Sequence, residues 1–156
     1  MTQRSTTQHA TFVIERTYDA SPARVFAAWA NPAAKIHWFG GGEGWKKYEL
    51  DFRIGGREYG LGGPPGEPIY TYEARYQDIV PDQRIAYTYT MDRDKTRISI
   101  SVATMELEPT DAGTRLIYTE QGVFLDGQDK PEFREQGTKD LLDKLDAALR
   151  RAPAST

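Results

Sequence analysis

The chain has 156 residues, 38% hydrophobic and 28% charged, with three Trp, nine Tyr, six Phe and a net charge of −3. This is the length of one domain, with enough apolar and aromatic material for a core. The lack of cysteine excludes a disulfide framework, a thiolate nucleophile and a Cys-based metal site, and no Lys/Arg cluster offers the basic surface that nucleic acid requires.

The N-terminal stretch MTQRSTTQHA has no apolar signal region, and no apolar run approaches transmembrane length. The expectation is a cytoplasmic protein with neither nucleic acid nor membrane as partner. Residues 1–9 and 152–156 are polar or small and read as flexible termini around a single domain at 10–151.

Thr11–Tyr18 carries β-branched and aromatic residues and predicts a strand. Ser21-Pro22 then signals a helix start, because the serine caps free N–H groups and proline suits the first helical position. Val25 and Trp29 share one helical face. Asn31-Pro32 repeats the signal, so a second short helix follows and ends near His37-Trp38-Phe39.

The glycine-rich stretches at 40–44 and 60–66 read as turns. Phosphate binding would need a helix opening directly after the glycines, and strand-like segments follow instead. From Lys46 to Val123 the pattern is a strand meander. Tyr70, Tyr72, Ala74 and Tyr76 share a face of one strand, and Ile85, Tyr87, Tyr89 and Met91 share a face of the next. In the following strand Ile98, Ile100 and Val102 share a face, and Met105 and Leu107 change parity, which predicts a bulge. Leu116, Tyr118 and Glu120 fall together in the last strand.

Asp129 opens a long final helix, with Glu132 completing a capping box. Leu141, Leu142, Leu145, Ala148 and Leu149 form an apolar stripe, continued backwards by Thr138 and Phe133. Strands in one run and helices segregated from them indicate an α+β fold. A curved antiparallel sheet of about six to seven strands, with the long C-terminal helix across its concave face, is the natural packing.

The ordered set of motifs resembles the START/Bet v 1-like helix-grip superfamily, and within it the Hsp90-ATPase-activator-homologue-1-like domain proteins. The matching pieces are Ser21–Trp29, Trp38, Asp51–Arg57, Asp78–Ile85, Leu107-Glu108-Pro109 before Gly113–Leu116, and the terminal helix. Two positions depart from the family pattern: Gly41 follows Gly40 where relatives often have Pro, and Thr138 follows Gly137 where they often have Trp. The resemblance implies a cavity between sheet and helix, which the missing Trp would enlarge. The co-chaperone role in the family's name belongs to a larger protein.

If the tyrosines line that cavity, it suits a flat apolar ligand with a few polar handles. The candidate ligand-binding residues are Trp38, Phe39, Tyr70, Tyr72, Tyr87, Tyr89, Tyr118, Glu120, Phe133, Gly137 and Thr138. Glu120 and His37 are the candidate catalytic groups: a carboxyl in an apolar cavity could serve as acid or base, and His37 is the one histidine beyond the N-terminal tail. A Glu at a strand end, paired or in solvent, and a His at a helix end are the plainer readings. No metal-ligand spacing occurs, and no cofactor is expected.

Three functions stay open. The first is a binding protein for a hydrophobic or aromatic small molecule. The second, implied by the superfamily's aromatase/cyclase members, is a cofactor-independent enzyme. The third is a module that binds a chaperone. Monomer and homodimer are equally compatible with the sequence.

Overall fold

The computed structural model describes residues 4–40, 45–63 and 66–151. Residues 1–3, the glycine-rich stretch 41–44 expected to be a turn, Pro64-Pro65 and the C-terminal residues 152–156 lie outside the described residues. The element order is β1 (Thr7–Tyr18), α1 (Pro22–Ala30), α2 (Pro32–Lys35), β2 (Trp45–Leu50), β3 (Arg57–Gly62), β4 (Tyr70–Val80), β5 (Arg84–Arg93), β6 (Thr96–Pro109), β7 (Thr114–Leu125) and α3 (Pro131–Arg151). This is an α+β helix-grip arrangement.

The seven strands form one antiparallel sheet in the order β1-β7-β6-β5-β4-β3-β2. β2 to β7 follow one another as a meander, and only β1 crosses over to pair with β7. β1 starts earlier than the sequence suggests: Thr7–Ala10 pair with Gly122–Leu125 of β7. Bulges at Trp45/Lys47, Tyr76/Asp78 and Met91/Asp92 bend the sheet.

The helices between β1 and β2 meet at one residue. Ser21 Oγ accepts from Arg24 N at 3.2 Å and caps α1. Asn31 ends α1 by donating its N–H to Ala27 O, and its Oδ1 accepts from Ala33 N at 3.0 Å to begin α2. Pro32 at the first position of α2 forbids continuation of α1 and forces the bend.

α3 crosses the concave face and buries Leu142, Leu145 and Leu149 in one core cluster with Ile14, Tyr18, Val25, Met105 and Leu116. Tyr18 reaches up from β1 and donates to Leu142 O at 2.9 Å. Arg24 of α1 donates to Leu149 O at 2.9 Å, satisfying a carbonyl in the last turn of α3. The helix begins at Pro131, not Asp129. Asp129 makes no capping box: its Oδ1 accepts from Lys130 N and its Oδ2 from Arg134.

One face assignment differs from expectation. In β6 the inward residues are Ser99, Ser101, Ala103, Met105 and Leu107, while Ile100 and Val102 face outward at 45% and 41% exposure. No parity change occurs between Val102 and Met105, since β6 and β7 pair without interruption. The irregularity lies at Met91/Asp92 on the partner strand. Small side chains occupy the middle of the inner face because large rings stand opposite them: Tyr89 is paired with Ser101 and Tyr87 with Ala103.

Candidate functional site

A cavity of about 300 Å³ lies between the concave face and the N-terminal half of α3. The sheet contributes Trp45, Tyr72, Tyr87, Tyr89, Met91 and Tyr118. Trp29 of α1 and Trp38-Phe39-Gly40 after α2 close one side, and Phe133, Arg134, Gly137, Thr138, Leu141 and Leu142 of α3, with Asp129, form the roof. All three tryptophans of the chain line it.

The rings brace one another. Phe39 meets Tyr72 edge-on at 5.1 Å between centroids and stacks on Trp45 at 5.7 Å. Tyr72 and Tyr89 are 5.1 Å apart, and Trp29 and Trp38 5.0 Å. Trp45 lies so close over β3 that a Cβ on Gly60 would clash with its ring. Glycine there lets the indole lie flat on the strand and form the cavity's outer wall.

The polar end of the cavity is one network. Glu120, 1% exposed, accepts from Tyr118 at 2.6 Å and Tyr89 at 2.7 Å. Tyr87 and Tyr118 hydroxyls are 3.3 Å apart. Arg134 of α3 donates to Tyr89 Oη at 2.9 Å and Ser99 Oγ at 2.7 Å, and lies 3.5 Å from Glu120 and 3.2 Å from Asp129. Burial works against the guanidinium charge, but Tyr89, Glu120 and Asp129 outweigh it and raise its pKa. Burial also pushes Tyr72, Tyr87, Tyr89 and Tyr118 well above the usual phenol range, with Glu120 adding to the effect at Tyr87, Tyr89 and Tyr118.

A second buried cluster stands behind the wall. Lys35, the last residue of α2, pairs with Glu58 of β3; Tyr76 donates to Glu58 Oε1 at 2.7 Å and Tyr48 to Oε2. The ammonium sits 4.5 Å from the Phe39 centroid and 5.3 Å from that of Trp29. Burial lowers the Lys35 pKa despite the opposing pull of Glu58.

Of the residues singled out from sequence, Trp38, Phe39, Tyr72, Tyr87, Tyr89, Tyr118, Phe133, Gly137 and Thr138 come together around the cavity. Tyr70 shares strand parity with Tyr72 but is 40% exposed at the start of β4, outside the lining. Glu120 points inward yet sits behind Tyr89 and Tyr118, without lining the void. His37 faces away, into an outer groove of about 520 Å³ between α1, α2 and the end of α3.

Arg134 is the main residue that sequence reasoning missed. The apolar stripe continues from Thr138 not to Phe133 but to Arg134, one helical turn back. Phe133 is 65% exposed at the rim. A charged residue on the apolar face of an amphipathic helix was the available signal. Among the described residues no group of three or more metal-ligating side chains occurs, and no helix is long and apolar enough to cross a membrane.

A curved sheet gripping a long helix over an aromatic cavity defines a helix-grip domain, a fold known for ligand binding. Residues 19–150 match the family described as Activator of Hsp90 ATPase homolog 1-like protein, and the chain belongs to that family. Solved structures agree. An uncharacterised protein from Rhizobium leguminosarum is 43% identical over 96% of this chain and 100% of its own, with a TM-score of 0.92. The Mll3558 protein from Rhizobium loti is 46% identical over 92% of this chain and 99% of its own, with a TM-score of 0.87. Protein CV1439 from Chromobacterium violaceum is 25% identical over 91% and 98%, with a TM-score of 0.72. No curated protein gives a significant match.

Proposed function

We propose that the protein binds an apolar or aromatic small molecule in the cavity beneath α3. The observation that carries this reading is the cavity itself: about 300 Å³ walled in large part by aromatic side chains, with polar groups gathered at one end. Apolar walls supply affinity through burial, and a few fixed polar groups set orientation. The wall residues come from four strands, α1, the segment after α2 and α3, so the void is a product of the whole fold.

The catalytic alternative has less behind it. Two tyrosine hydroxyls stand between Glu120 and the cavity, and His37 opens onto the other groove. The chaperone-binding alternative rests on the family's description.

Titration with naphthalene-sized aromatic compounds tests the proposal. Because Trp29, Trp38 and Trp45 all line the void, a bound ring changes most of the intrinsic tryptophan emission. Binding also raises Tm by mass action on the folded state. A broad compound set that changed neither emission nor Tm would refute the proposal.

A further inference from the structure

The chemistry of the ligand's polar group follows from the directions of the hydrogen bonds in the cavity wall. This step rests on the reading of the cavity as a ligand site. A carboxylate only accepts hydrogen bonds. Glu120 therefore takes the single hydroxyl proton of Tyr118, at 2.6 Å, and that of Tyr89, at 2.7 Å. With its proton committed, the Tyr118 oxygen can only accept, so Tyr87 is the donor across their 3.3 Å contact. Tyr87 has then used its proton too, and its oxygen offers the cavity lone pairs alone.

Arg134 does not restore a site for anions. Its guanidinium is held by Tyr89, Ser99 and Asp129, and the two carboxylates of Glu120 and Asp129, at 3.5 and 3.2 Å, share its one charge. A third negative group would meet an excess of negative charge in a poorly solvated place. Tyr72 differs from the other cavity tyrosines. It is 4% exposed and lines the void, and none of the side-chain hydrogen bonds among the described residues involves its hydroxyl. Tyr72 and Tyr87 flank Tyr89, with ring centroids 5.1 and 6.1 Å from it.

We infer that the cavity selects a neutral aromatic alcohol, whose hydroxyl donates to the Tyr87 oxygen and accepts from Tyr72, and that it rejects aromatic carboxylates. A ring-borne hydroxyl both donates and accepts, which matches one acceptor and one free hydroxyl. Among the described residues the other donor without a partner in the lining, Trp29 Nε1, is fully buried and presents no surface to the void, so an ether, which only accepts, is left with Tyr72.

The experiment compares 2-naphthol, 2-methoxynaphthalene and 2-naphthoate by tryptophan emission with the wild type, Tyr87→Phe and Tyr72→Phe. The wild type should bind naphthol about tenfold more tightly than the ether, as one additional hydrogen bond allows, and naphthoate most weakly. Tyr87→Phe should bring naphthol to the level of the ether and leave the ether unchanged, whereas Tyr72→Phe should weaken both. If either variant fails to fold, the wild-type order of the three compounds still decides. Equal binding of naphthol and ether, tightest binding of naphthoate, or a preference that survives in Tyr87→Phe would each overturn the inference. Ether binding without hydroxyl preference would do so while leaving the ligand-cavity reading in place; no binding by any of the three would overturn both.

Discussion

Lys35 Nζ lies 2.8 Å from Glu58 Oε2, with the two side chains 1% and 0% exposed. The pair ties a helix of four residues to the sheet. Such a helix is too short to be stable alone, and Phe39, which follows it, is part of the cavity wall. The pair therefore positions the wall as well as joining two elements.

Removing one partner leaves the other buried and uncompensated. Lys35→Met and Glu58→Gln should each lower stability by about 3–5 kcal/mol in urea unfolding, and both should weaken ligand binding through displacement of Phe39. Wild-type unfolding midpoints in both variants would show that the pair anchors nothing.

Alkaline pH should unfold the protein steeply. Seven tyrosines, Tyr18, Tyr48, Tyr72, Tyr76, Tyr87, Tyr89 and Tyr118, have pKa values raised in the folded state, first by burial. Above the unfolded value of about 10 the unfolded chain loses these protons and the folded chain keeps them, so stability falls as pH rises. Each contributes up to about 1.4 kcal/mol per pH unit. Lys35 has the opposite sign: with its folded pKa lowered, stability rises with pH between that value and 10.5. It is one group against seven. Tyrosinate absorbance from these seven should appear together with loss of circular dichroism; gradual ionisation within a folded protein would contradict the expectation.

Thr138→Trp should fill the cavity with a large ring. Thr138 is 7% exposed, lines the void and turns its hydroxyl onto Arg134 O at 2.9 Å. Affinity for any cavity ligand should fall more than tenfold, read by tryptophan-independent calorimetry because the variant adds an indole. Undiminished affinity would place the ligand elsewhere.

Arg134 and Glu120 should prove energetically coupled. Arg134→Met leaves two carboxylates facing each other without their shared cation and should cost about 3 kcal/mol. Glu120→Gln alone forces one tyrosine hydroxyl to turn and should cost about 1–3 kcal/mol. The double variant should lose less than the sum by at least about 1 kcal/mol. Strict additivity would mean that the guanidinium does not stabilise the buried carboxylate.

The element order was legible from residue patterns alone. Ser21-Pro22 and Asn31-Pro32 mark helix starts through chemistry confined to a few neighbouring residues, and the alternation of Tyr72, Ala74 and Tyr76 sets a strand face by a period of two. The inner face of β6 was not legible in that way. Local hydrophobicity favours Ile100 and Val102 as core, yet the curved centre admits only Ser99, Ser101 and Ala103, because Tyr87 and Tyr89 occupy the space opposite.

What the sequence determined by itself was therefore what local periodicity and turn chemistry control: the α+β class, the order of elements, and which rings share a strand face; the helix grip and the cavity were implied by the family resemblance. The tertiary structure alone decided which partners the interior charges find. Arg134 meets Glu120, and Lys35 meets Glu58, across separations of 14 and 23 positions in the chain. Such pairs are fixed by desolvation and three-dimensional register, which leave no periodic trace along the chain.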